Sequence, residues 1–151
     1  MTAAPRSSGF TLVELVMVII LIGVLSALGI GLFASRSAFS PLLATQQLAS
    51  ATLLAQQAAL AGNPANTLTI EQNVDDFRFI VGNGTGHPRS FEISREGTTL
   101  SVPGGLPLTL TFDKKGAPAS GANLQFTVSG DSSFHTCLSS LGAVYAGVCR
   151  S

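Results

Sequence analysis

A lone carboxylate, Glu14, stands in an otherwise apolar run, and two cysteines, Cys137 and Cys149, stand near the other end of the chain. His135 lies two residues before the first cysteine. An H-x-C pair with a distant second thiol lacks the ligand spacing of a tetrahedral zinc site, so no metal is expected. If this part of the chain lies outside the cytoplasm, the two thiols form a disulfide; otherwise they are two buried thiols. Hydrolytic chemistry would need a nucleophile, a base and a group to orient the base. Serines are plentiful, but His87 sits in a Gly-rich turn and His135 in a strand pattern, and no G-x-S-x-G, P-loop or paired metal-ligand motif occurs. The GNGTG stretch at Gly82 to Gly86 lacks the strand-to-helix setting of a phosphate loop. The residues therefore read as those of a non-enzyme without a cofactor. Cations that could meet phosphates are Lys114, Lys115 and Arg150, with Arg89 and Arg95 behind them. A Lys-Lys pair in a turn is ordinarily a solvated turn.

The elements that would position these residues must come from 151 residues, enough for one domain and an appendage. Eight basic and eight acidic residues cancel, so bulk charge implies no pull toward nucleic acid or acidic lipid. Mean hydropathy is +0.44, high for a soluble domain, and the excess is local. Leu15 to Phe33 carries no charge at all. As a helix rising about 1.5 Å per residue it would cover about 28 Å, close to a bilayer's hydrocarbon core. The run is too long for a secretory signal and no clean A-x-A site follows it, so it reads as an uncleaved anchor. Arg6 and Arg36 flank it on either side, and charge gives no orientation.

The residues G-F-T-L-V-E, Gly9 to Glu14, followed by an unbroken apolar helix, resemble the N-terminus of type IV prepilins and type II secretion pseudopilins. The resemblance implies cleavage by a prepilin peptidase between Gly9 and Phe10, and N-methylation of Phe10. It also gives Glu14 a purpose. A charge inside the bilayer costs about 2.5–3.5 kcal/mol on insertion scales and needs a partner. The cut would create one, the amine of Phe10, and in the family Glu of one subunit pairs with the terminal amine of its neighbour in the filament. The plainer reading is a carboxylate near the headgroups at the positive end of a helix. Many major pilins carry a proline where this chain has Gly31; here Gly29 and Gly31 occupy that region, each costing about 1 kcal/mol relative to Ala, so local melting of the helix is expected to stay within reach without the proline. Gly23, Ala27 and Gly31 recur every four residues, a small-residue face suited to close helix packing.

Ala38 to Ala61 continues a helical pattern, with Phe39, Leu42, Ala49, Leu53 and Leu60 as its expected apolar stripe. Pro41 falls in its first turn or kinks it, and Gly62-Asn63-Pro64 ends it. From Thr67 the chain reads as short strands: TLTIE, FRFIV, RSFEIS, TTLSV, LTLTF, NLQFTVS, FHTCLS and AVYAG. A helix laid on one face of one antiparallel sheet is the simplest core, which agrees with the α+β pilin fold that the resemblance implies. The C-terminal LTFDKKGAP, NLQFTVSG and FHTCLSSLGAVYAGVC resemble small H-type pseudopilins and minor pilins, closest to minor pilins of the mannose-sensitive haemagglutinin (MSHA) pilus.

The expected organisation is a leader at 1–9, an assembly helix at 10–36, its amphipathic half at 37–62 and a β-rich head at 63–151. The implied partners are the prepilin peptidase, other major and minor pilins, an inner-membrane assembly platform and inner-membrane lipid, with nucleic acid ranked last. The implied location is a single-pass place in the inner membrane with the head in the periplasm, then the extracellular pilus.

Overall fold

The computed structural model describes residues 10–33 and 36–150, apart from the side chains of residues 30–39. The leader 1–9 and Gly9 lie outside the described residues, as does the side of Gly31 within its helix. Two compact units divide the chain at Ser35. In the first, helix α1 runs Leu12–Phe33. Its 18-residue stretch Leu12–Gly29 is long and apolar enough to cross a membrane. Gly23 and Ala27 share one of its faces, and among the described residues nothing outside the helix's own backbone lies within 4 Å of where a Gly23 Cβ would stand.

The second unit begins with helix α2, Arg36–Leu60. Pro41 lies inside this helix, beyond its first turn, and is buried against Gly130. The end is a Schellman motif: Asn63 N donates to Ala58 O at 2.8 Å and Gly62 N to Ala59 O at 3.0 Å. This closure needs a left-handed residue, and Gly62 supplies it with φ 70°.

Eight strands follow: β1 Thr67–Gln72, β2 Asp76–Val81, β3 Arg89–Ser94, β4 Thr99–Ser101, β5 Leu108–Thr111, β6 Leu124–Ser129, β7 Ser133–Leu138 and β8 Val144–Ala146. They form two antiparallel sheets and not the single one expected, in the orders β3-β2-β1-β5 and β4-β6-β7-β8. The chain switches sheets at β4 and back at β5, because Leu100 pairs with Val128 of β6 while Leu110 pairs with Leu68 of β1. Helix α2 packs against strands of both sheets.

The core shows why both sheets accept one helix. Alternation in β2 turns Phe77, Phe79 and Val81 inward, with Arg78 outward in an ion pair to Glu92 at 2.9 Å. Phe77, Phe79, Phe112 and Phe126 are fully buried, each worth about 1.5–3 kcal/mol in apolar burial. Beside rings of that size the helix presents mostly small side chains. The buried face of α2 is accordingly Ala44, Leu48, Ala51, Thr52, Ala55, Gln56 and Ala59. The expected stripe is corrected at two positions: Leu53 and Leu60 are 49% and 61% exposed, while Leu42 and Ala49 are half-buried and the side chain of Phe39 lies outside the described residues.

Candidate assembly site

Glu14 lies at the start of α1, and its surroundings explain how an isolated chain tolerates it. Thr11 O accepts the first helical bond, from Leu15 N, which makes Thr11 the N-cap. Glu14 Oε2 accepts from Thr11 N and from Thr11 Oγ1, each at 2.9 Å, and Glu14 N donates to Thr11 Oγ1 at 3.3 Å. This is a capping box, and it satisfies helix-end donors that would otherwise be bare. The sequence alone places Glu14 at the positive end of a helix, without the reciprocal bonds to Thr11. The signal was present as T-x-x-E just ahead of an apolar run. Both contacts use Oε2, and among the described residues Oε1 accepts no hydrogen bond. Phe10 is described and is 83% exposed. The cleavage and methylation expected there are not visible in the fold.

The cysteines are joined. Cys137, buried on β7, is bonded to Cys149, with Cα atoms 5.0 Å apart. The bond ties the segment after β8 back to β7, and Gln125 Oε1 accepts from Cys149 N at 3.2 Å. Closing a loop of this length contributes about 3 kcal/mol by chain entropy. Reduction should lower the unfolding free energy of the full chain by about 2–4 kcal/mol, read as a shift in denaturant midpoint with and without dithiothreitol. An unchanged midpoint would mean that β8 is held without the bond.

The turns around the C-terminal strands converge on a side chain that sequence reading left unassigned. Gln56, buried among alanines, donates from Nε2 to Gly116 O at 2.8 Å and to Gly142 O at 2.6 Å. It thus joins the Asp113–Gly116 turn to the Ser139–Gly142 turn. The approach is close enough that a Cβ on Gly142, where φ is 92°, would collide with the Gly116 carbonyl. In the Asp113–Gly116 turn, Asp113 Oδ1 accepts from Lys115 N and Ala117 N, both at 2.9 Å. Lys114 and Lys115 are exposed at its tip, as expected of a solvated turn. Arg150 is exposed too, its carbonyl accepting from Asn123 at 3.3 Å. All three cations fall at the end of the head where α2 finishes. Arg95 lies at the opposite end, bonded to Asn73 O and Thr98 O and over the Phe77 ring at 5.6 Å. His87 is exposed in the β2–β3 loop, whereas His135 lies on β7 with Nδ1 3.1 Å from Thr127 Oγ1. His87 thus lies in a loop joining two strands of the first sheet and His135 on a strand of the second.

Comparison with known proteins agrees with this geometry at both ends of the chain. Residues 5–30 match the family described as the prokaryotic N-terminal methylation motif. None of the curated proteins matches the chain. Two crystal forms of the type IV minor pilin FimU from Pseudomonas aeruginosa match in structure. One has a TM-score of 0.53 at 14% identity and covers 70% of this chain and 90% of that one. The other has a TM-score of 0.57 at 16% identity, with 77% and 92% covered. At such identities the likeness is one of fold. The chain joins a prokaryotic N-terminal methylation motif to a head with the fold of a type IV minor pilin.

Proposed function

We propose that this chain is a minor pilin, a structural subunit of a type IV pilus that acts in starting or capping the filament. The observation that carries the reading is the methylation motif, with Glu14 and its capping box, joined to a minor-pilin-like head. In this reading prepilin peptidase cuts between Gly9 and Phe10 and the new Phe10 amine is methylated. Helix α1 holds the chain in the inner membrane with the head in the periplasm. Assembly then brings it beside major and minor pilins on the inner-membrane platform, with Gly23, Ala27 and Gly31 facing neighbouring helices and Glu14 paired with a terminal amine. The filament we favour is of the MSHA type, on the strength of the C-terminal segment CLSSLGAVYAGVC, which forms the end of β7, β8 and the disulfide. A minor pseudopilin of type II secretion would share the N-terminus and differ in the filament it joins.

A second reading rests on the cations gathered at one end of the head, Lys114, Lys115 and Arg150, which could make a tip subunit that meets DNA or a surface. Counting surface pili in cells lacking this chain, with the major pilin still made, separates the two. Loss of pili with the major subunit accumulating in the membrane is the result expected of an initiating subunit. Normal pilus number with failed attachment or DNA uptake would transfer the function to the tip reading.

A further inference from the structure

Three segments of the head are tied together where α2 finishes. Gln56 joins the Asp113–Gly116 turn to the Ser139–Gly142 turn, and Leu60 stands beside Gly116, 3.7 Å from where a Cβ there would lie. Asn123 makes the next tie: its Oδ1 accepts from Ser140 N at 2.7 Å and its Nδ2 donates to Arg150 O at 3.3 Å. Arg150 N in turn donates to Tyr145 Oη at 3.1 Å, which holds the segment after Cys149 to β8. The side chains presented by these segments are of two kinds. Leu60, Leu141 and Val148 are 61%, 85% and 59% exposed, three of the six large apolar side chains that the described part of the head leaves exposed, so half of them gather at this end. Lys114, Lys115 and Arg150 stand among them, with Asp113 as the acid of the same patch. Asp113 Oδ1 is occupied by its own turn, accepting from Lys115 N and Ala117 N. Ser151, beyond Arg150, lies outside the described residues.

We propose that this end of the head docks on an anionic phospholipid bilayer. Leu60, Leu141 and Val148 enter the boundary between headgroups and acyl chains, while Lys114, Lys115 and Arg150 meet lipid phosphates. Such an interface rewards this combination, because water leaves the apolar groups as the phosphates neutralise the cations. Duplex DNA would meet the cations and leave all three apolar side chains in water. None of the three is aromatic, so they offer unpaired bases no surface on which to stack. The ties matter because a patch ordered in advance loses little conformational entropy on docking. The chain enters the head at Arg36 and α2 spans about 37 Å, so the patch stands at the far end of the head from that junction. A capping subunit has one end with no subunit beyond it, and this end is equipped to meet something else. The inference rests on the capping reading and adds to it the chemistry that the uncovered end touches.

The test uses sheared filaments, followed with an antibody to this chain so that only filament pieces containing it are read. They are mixed with vesicles of phosphatidylcholine alone, or of phosphatidylcholine with phosphatidylglycerol, and floated on a density step. The expected result is a chain that rises with the phosphatidylglycerol vesicles and stays behind with the neutral ones. Lys114→Glu with Lys115→Glu should cut the floated share at least tenfold, and Leu141→Ser at least threefold with every charge kept. These changes fall on exposed side chains outside the core, so entry into filaments should match wild type, and the same antibody reads it. Equal flotation with both lipid mixtures, or flotation indifferent to Leu141→Ser, would overturn the proposal and leave the capping reading standing. Retention of the chain by duplex DNA with no flotation on either vesicle would do the same and make the ligand a nucleic acid. A wild-type chain missing from the sheared filaments would overturn both.

Discussion

Gly9→Arg should leave the leader on the chain, so that mass spectrometry of the membrane form finds Met1–Gly9 still attached. In the proposed processing the peptidase must accept the residue before the cut in a site at the membrane surface, and Gly offers neither bulk nor charge. Arginine offers both. The consequence reaches further than a heavier chain. With the leader in place Phe10 has no free amine, and the cation meant to meet a neighbour's Glu14 is never formed. The head, which folds from Arg36 onward around its own core, is unaffected by the change. The expected phenotype is thus a folded, membrane-bound chain that is absent from sheared filaments. A mature mass indistinguishable from wild type would overturn the cleavage assignment.

Local order in this head is written locally, and that is why much of it could be read from the sequence. The eight strand segments appear because alternation such as Phe77-Arg78-Phe79 commits a face, and because Gly and Pro mark the turns between them. The division into two sheets is a different matter. Whether Leu100 pairs toward β6 or joins the first four-stranded sheet depends on partners nearly thirty residues away, and nothing in TTLSV encodes that choice. The core face of α2 was misread for a related reason. Large residues at helical spacing look like a stripe, yet the rings of Phe77, Phe79 and Phe126 fill the space and select alanines opposite. Gln56 is the extreme case. A buried amide among alanines makes sense only once two glycine carbonyls, from turns far along the chain, are brought to it. At the site itself, Glu14 was legible as significant, and the capping box would have been legible from Thr11 three residues before it.

The capping box sharpens what a change at Glu14 would mean, because the carboxylate now has two separable roles. One is local, accepting from Thr11 N and Oγ1 through Oε2. The other, in the proposed filament, is to neutralise a neighbour's terminal amine through Oε1. Glu14→Ala removes both; Glu14→Gln keeps an amide oxygen for the cap and removes only the charge. The magnitudes differ enough to decide between the roles. Losing a helix cap costs about 1 kcal/mol, which is less than a tenfold change in any equilibrium. Leaving one member of a buried ion pair without its partner costs about 3–5 kcal/mol, a factor of hundreds or more. Both variants should therefore be cut and anchored like wild type, and both should fall at least tenfold in the sheared filament fraction. If Glu14→Gln enters filaments at the wild-type level while Glu14→Ala does not, the cap is the contribution that matters. The terminal amine would then be met by some other group.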